Sequence, residues 1–199
     1  MMPARGERST ERRAQILQAA AAVYARQGID SARMDDIVAE SGLSKGTLYW
    51  YFDSKDDITV ALVEEVISEE FAQLRQLLDA EGTVIERLER FFDMHATILQ
   101  SNPLLGKLGI EFYSIAGKLD KVHELVRQYY DEFVAVVLAL VRQGEGRGEL
   151  RVGRPRELAV NLVALVEGST LLWAIGIQEV DLVQQFREAI ALLFDGLRA

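Results

Sequence analysis

From Gly42 to Lys55 the chain reads Gly-Leu-Ser-Lys-Gly-Thr-Leu-Tyr-Trp-Tyr-Phe-Asp-Ser-Lys. Lys45, Gly46, Thr47, Tyr49 and Trp50 gather a cation, a gap, a hydroxyl and two amphipathic rings into one short stretch. Such a set suits a polyanion: ammonium and hydroxyl groups reach phosphates or base edges, and the rings add contact area with a polar tip. The alternative is an ordinary helical corner whose aromatics pack inward. Other chemistries have less support. His95 and His123 are the only histidines, and neither has acidic or thiol residues at ligand spacing, so no metal or cofactor is expected. No serine or cysteine nucleophile stands beside a base, and the paired carboxylates read as helix surface, so catalysis is not expected.

The elements that must hold these residues are legible around them. Gly42 follows the periodic run Met34, Ile37, Val38, where a left-handed residue closes a helix. Ser44 is a good N-cap for the next helix, with Leu43 tucked beneath the turn, and Ser54 with Asp57 approximates a second cap. Only about two turns of helix fit between the caps. Leu48 and Phe52, four apart, face inward, and the polar set stays outside. Two helices joined by a short glycine-containing turn make a helix-turn-helix, whose second helix enters the major groove.

Gly42 to Phe52, followed by Ser54-Lys55, resembles the signature of the tetracycline-repressor (TetR) family of bacterial transcriptional regulators, over roughly residues 9–60. The resemblance implies an all-α protein of about nine helices: a three-helix DNA-binding head (1–55) and a larger helical ligand-binding and dimerisation body (56–199). It implies a homodimer that pairs its last two long helices. It implies a repressor released from its operator by a small, often hydrophobic molecule. A two-fold pair of heads would read a palindrome with half-sites about one turn apart. The family usually carries threonine or serine where this chain has Ala32 and Arg33, so Arg33 is expected to supply the contact from the second helix. Expected at DNA are Arg33, Ser44, Lys45, Gly46, Thr47, Tyr49, Trp50 and Lys55. Tyr49, Trp50 and Lys55 would hold phosphates, while Lys45 and Thr47 reach base edges. The rival is a small-molecule-binding helical dimer without operator function.

Composition agrees once the chain is divided. Hydrophobic residues make 49% of 199 with only 3 prolines, and helical periodicity runs nearly end to end with no alternating strand pattern. Net charge is −9, which taken whole argues against nucleic acid. Residues 1–55, however, hold 8 Lys+Arg and 7 Asp+Glu, and the remainder 14 and 24, so an acidic body follows a near-neutral head. With no cysteines and a polar N-terminus lacking a signal-peptide core, a cytoplasmic home is expected.

Along the chain, residues 3–8 read as a basic arm with Arg5 and Arg8. Ser9 or Thr10 then caps a helix to about Gln27, and Arg12 and Arg13 on its polar face could meet phosphates. A second helix follows Ser31, with Asp35 and Asp36 in its first turn. A long helix runs from Ser54 to about Ala80. Five more follow: Val84–Gln100, Pro103–Ile115, Lys118–Gln143, Arg156–Ile175 and Asp181–Leu197. Gly144 to Gly153 reads as a flexible connector. Leu158 to Ile177 is nearly apolar enough to cross a membrane, but Asn161 and Glu167 argue for a core or a subunit interface. Aromatic residues with a few polar groups among them suggest a ligand site: Phe91, Met94, His95, Phe112, Tyr130, Glu167 and Leu171. Val166, Ser169, Trp173, Leu182, Phe186 and Ile190 are expected at the dimer seam.

Overall fold

The computed structural model describes residues 5–177 and 181–197, and every regular element among them is a helix. In order these are α1 Arg5–Gln27, α2 Met34–Ser41, α3 Lys45–Tyr51, α4 Lys55–Gln76, α5 Val84–Ser101, α6 Pro103–Ala116, α7 Asp120–Gly146, α8 Pro155–Ala174 and α9 Leu182–Phe194. Helix α1 therefore starts at Arg5, ahead of the Ser9 or Thr10 cap expected. Residues 3 and 4 of the expected basic arm lie outside the described residues. The chain divides into two compact units, the first running to Val66 and including Lys107–Leu125, the second holding Ile67–Gly106 and everything from Val126 on.

The first unit is built by local rules. Ile16, Leu17, Ala20, Val23 and Tyr24, one stripe of α1, are buried, as are Ile37 of α2, Leu48 of α3 and Ile58 of α4. Gly42 ends α2 at φ 66°, a conformation that costs a residue with a Cβ but not glycine. Gln15 donates to the Ser41 carbonyl at 2.7 Å, tying the end of α2 to α1. Buried Tyr24 meets the Thr59 hydroxyl at 3.1 Å, and burial pushes its own ionisation up to about 12.

The second unit has one continuous core drawn from α5, α7, α8, α9 and the end of α4. Thr83 and Glu86 make a reciprocal capping box for α5, and Asp181 caps α9 through the amides of Val183 and Gln184. Helix α4 ends at Gln76, earlier than expected, and the chain continues to Ala80 in tighter turns. Fully buried Arg87 explains the stop. Its Nη1 donates to the carbonyls of Leu77 (2.9 Å) and Leu78 (3.2 Å) and to Gln143 Oε1 (3.0 Å). Where a loose connector was expected, α7 continues through a buried Gly144. A Cβ there would meet Leu150 Cδ1 at 2.7 Å and Val84 Cγ2 at 3.1 Å, so the side chains of Leu150 and Val84 fill the space beside this glycine. Helix α8 has the length and hydropathy (mean 1.3) to cross a bilayer, yet five of its apolar residues from Leu158 to Val166 are buried within the unit.

Candidate nucleic-acid interface and a buried polar cluster

The short helix α3 is held at both ends and along one side. Ser44 Oγ accepts the Thr47 amide at 3.1 Å and shares a 2.8 Å hydrogen bond with the Thr47 hydroxyl. Leu48 and Phe52 are buried, and the Arg13 guanidinium lies over the Phe52 ring at 5.7 Å. Tyr51 donates to Ser9 Oγ at 3.4 Å. What this leaves outside is the set read from the sequence: Lys45, Gly46, Tyr49 (42% exposed) and Trp50 (72% exposed), with Thr47 partly buried. Trp50 rests edge-on against Tyr51, with ring centroids 4.5 Å apart.

Helix α2 carries three acids, and the structure uses them differently. Asp36 accepts the Arg33 amide at 2.9 Å and Gln27 Nε2 at 3.0 Å, which holds its carboxyl below the usual range. Glu40 pairs with Arg26 at 2.6 Å. Asp35 turns the other way and pairs with Lys45 of α3 at 2.7 Å, which raises the lysine's affinity for its proton. Arg33 stands exposed at the N-cap position, and Ala32 is buried.

Lys55 differs from its expected role. Its Nζ donates to the carbonyls of Ile29 (2.7 Å), Ala32 (3.0 Å) and Asp30 (3.2 Å). An ammonium has three protons, so all are committed to the α1–α2 loop and none is left for a phosphate. The same loop is held by Glu111 of α6, which accepts the Ile29 amide at 2.7 Å, and by a Lys118–Asp30 ion pair. Neither Glu111 nor Lys118 was singled out from sequence, because more than eighty positions separate each from its partner.

In the second unit a polar cluster sits among aromatic rings. The Tyr129 hydroxyl lies 3.1 Å from Glu70 and 3.3 Å from Glu167, with one proton to give to either carboxyl group, and His95 Nδ1 lies 3.4 Å from Glu70. Phe71 stacks on Tyr129 at 5.7 Å and Phe91 on His95 at 6.3 Å, with Phe133 edge-on to Tyr129 at 5.9 Å. Burial drives the Glu70 carboxyl up to about 7, against the Tyr129 hydrogen bond that opposes the rise, and burial lowers His95. Both groups are thereby pushed towards neutrality. Of the ligand residues expected, Phe91, His95 and Glu167 meet here. Phe112 is buried on the segment that belongs to the first unit, and Met94, Tyr130 and Leu171 are exposed. Tyr129 takes the place expected of Tyr130, one position and about 100° round the helix. Glu70 was missed, although it falls on the apolar stripe Val63, Val66, Leu74 of α4.

The dimer residues expected are also redistributed. Val166, Leu182, Phe186 and Ile190 are buried in the protomer's own core, where no partner could reach them. Trp173 is partly buried, with its ring edge 3.0 Å from where a Cβ on Gly106 would lie, and Ser169 is partly buried. The outward side of α8 is instead Asn161, Ala164 and Leu171, continued by Ile175 just past its end, and Leu192 of α9 is 81% exposed.

Comparison with known proteins fits this arrangement. Residues 16–62 match the family described as bacterial regulatory proteins, tetR family. Residues 84–198 match the C-terminal domain described as BetI-type transcriptional repressor. A transcriptional repressor of helix-turn-helix type from Streptomyces coelicolor is 31% identical over 176 residues, covering 87% of this chain and 82% of the relative. The fatty acid metabolism regulator protein of Bacillus subtilis is 22% identical over 187 residues, 92% of this chain and 94% of its own length. Among solved structures, Bacillus subtilis FadR in complex with stearoyl-CoA superposes with a TM-score of 0.78 at 21% identity, covering 92% of this chain and 97% of that one. A transcriptional regulator from Saccharomonospora viridis in complex with choline gives 0.81 at 23% identity, covering 96% and 99%. The motif at Gly42–Lys55, the helical architecture and the two family matches agree: the chain belongs to the TetR family, the ligand-responsive, DNA-binding transcriptional regulators of bacteria.

Proposed function

We propose that this chain is a cytoplasmic homodimeric repressor that holds a palindromic operator through α3 and lets go when a small molecule binds its second unit. The observation that carries the reading is the outer face of α3. Its polar set is presented by a helix anchored from beneath, and Gly46 meets nothing nearer than Ser44 Oγ at 4.0 Å from its would-be Cβ. Since glycine weakens a helix and packing inside the chain does not call for it, the room it leaves suits a partner from outside. Lys45 and Thr47 reach base edges, Ser44 and Gly46 let the backbone approach, and Tyr49, Trp50 and Arg33 meet the sugar-phosphate strands. Lys55 acts one step back, by fixing the loop that presents Arg33.

The dimer forms through the outward stripe of α8, Ala164, Gly168 and Leu171, continued by Ile175, with Leu192 beside it. A Cβ at Gly168 would have no neighbour within 4 Å, which suits close approach by a second copy, and this apolar stripe is better explained by an interface than by a membrane. The effector occupies the aromatic surroundings of Glu70, His95, Tyr129 and Glu167. Relatives are seen with stearoyl-CoA and with choline, so an apolar chain and a charged head are both within reach of such a body. No step here needs a catalytic group.

Band-shift titration against genomic fragments tests the reading. Retention should be sequence-selective and fall steeply with salt. Lys45→Glu should abolish it while the dimer stays folded; retention by that variant would refute the assignment of α3. Effector and operator must weaken each other equally, as linkage requires.

A further inference from the structure

Asp35 is an odd residue to find beside a surface meant for DNA. The other two acids of α2 face α1, where Asp36 takes the Arg33 amide and Gln27, and Glu40 takes Arg26. The helix start is thus already served, and Asp35 adds nothing to its capping. Its pair with Lys45 is open to solvent, the side chains being 70% and 61% exposed, so it contributes little to stability. The Lys45 ammonium also lies 6.0 Å from the Tyr49 ring centroid, so the carboxylate, cation and ring share one face across the helix-turn-helix.

A lone carboxylate on that face would repel phosphates. A base edge can reward it, because the cytosine amino group is the major-groove donor that Asp or Glu accepts from, and lysine is a common partner of guanine O6 and N7. We propose that Asp35 and Lys45 read the operator as one unit. Lys45 takes the guanine edge, and Asp35 takes the cytosine amino group of the same or the adjoining base pair. Asp35 thereby sets base preference, while its charge cancels the pull Lys45 would exert on any phosphate. This rests on α3 being the groove-facing helix.

The test begins with the native chain and a pool of random-sequence duplexes, from which its preferred site is selected. Native chain and Asp35→Ala are then titrated across salt against that duplex and all its single-pair variants. For Asp35→Ala, discrimination at one G·C position per half-site should fall on the order of tenfold. Its affinity for unselected duplex should rise, with a steeper salt dependence as Lys45 becomes free to meet phosphate. Asp35→Asn should move the preference at that position towards A·T, since asparagine pairs with adenine. An Asp35→Ala profile identical to native at every position, with or without a lower Tm, assigns the pair to structure and overturns the inference while operator reading stands. A native chain that selects no sequence overturns the underlying reading, and this inference with it.

Discussion

Lys55 and Glu70 lie on the same helix, and the protein treats their charges in opposite ways. Lys55 is surrounded by three carbonyls of one loop, fixed dipoles that match its three protons. Glu70 is given a tyrosine hydroxyl and a histidine that burial keeps from charging. The first arrangement suits a charge that must stay where it is and position a loop. The second leaves a carboxyl near the edge of ionisation, ready to respond to a proton or to a ligand that brings its own charge.

Substitutions can break that contrast. Lys55→Met should have the largest effect, because it leaves three carbonyls without their donor. Hydrogen bonds to charged groups contribute roughly 1.5–3 kcal/mol each, and some of the carbonyls will find water, so a loss of about 3 kcal/mol is expected on urea unfolding, with weaker DNA retention. Glu70→Gln should act with the opposite sign. The folded carboxyl titrates at about 7 against 4.5 for the ordinary group, so the folded state binds the extra proton and native stability falls as pH rises from 4.5 to 7. The full difference would be about 3 kcal/mol, and with 21% of the Glu70 side chain still exposed removing the carboxyl should stabilise the protein by about 2 kcal/mol at pH 8, fading towards zero below pH 4.5. His95 runs against this trend: its lowered value makes stability fall as pH drops below 6.5, and that limb should survive in Glu70→Gln.

Smaller changes sharpen the comparison. Glu111→Ala takes one charge-assisted acceptor from the Ile29 amide and should cost about 1–2 kcal/mol in the melting of the first unit, with Glu111→Gln recovering much of it. Arg26→Ala breaks an exposed pair with Glu40 and should change stability by less than about 0.5 kcal/mol. A large effect there would mean that exposed charge, and not only charge held by dipoles, supports the head.

Some of this was readable without coordinates, and the reason is range. Ser44, Gly42, Ser54 and Asp181 act on amides and torsions a few residues away, so their types announce helix ends directly. Leu48 and Phe52 are inward because spacing alone puts them on one side of a two-turn helix. Lys55 read as a free cation because its carbonyls belong to a loop more than twenty positions earlier. Periodicity marked the apolar sides of α8 and α9 correctly as buried, but it could not say whether the chain itself or a second copy covered them. Val166, Leu182, Phe186 and Ile190 turned out to be covered from within.

Short-range physics, caps, left-handed glycine and helical spacing, is written into neighbouring residues, and from it the amino-acid order alone determined an all-helical chain with a short helix that turns a cation and two aromatic rings outward. Which charges are held, which carboxyl is pushed towards neutrality and which apolar side remains outside were decided only by folding. These depend on groups dozens of positions apart reaching hydrogen-bond distance, and on water leaving the space between them.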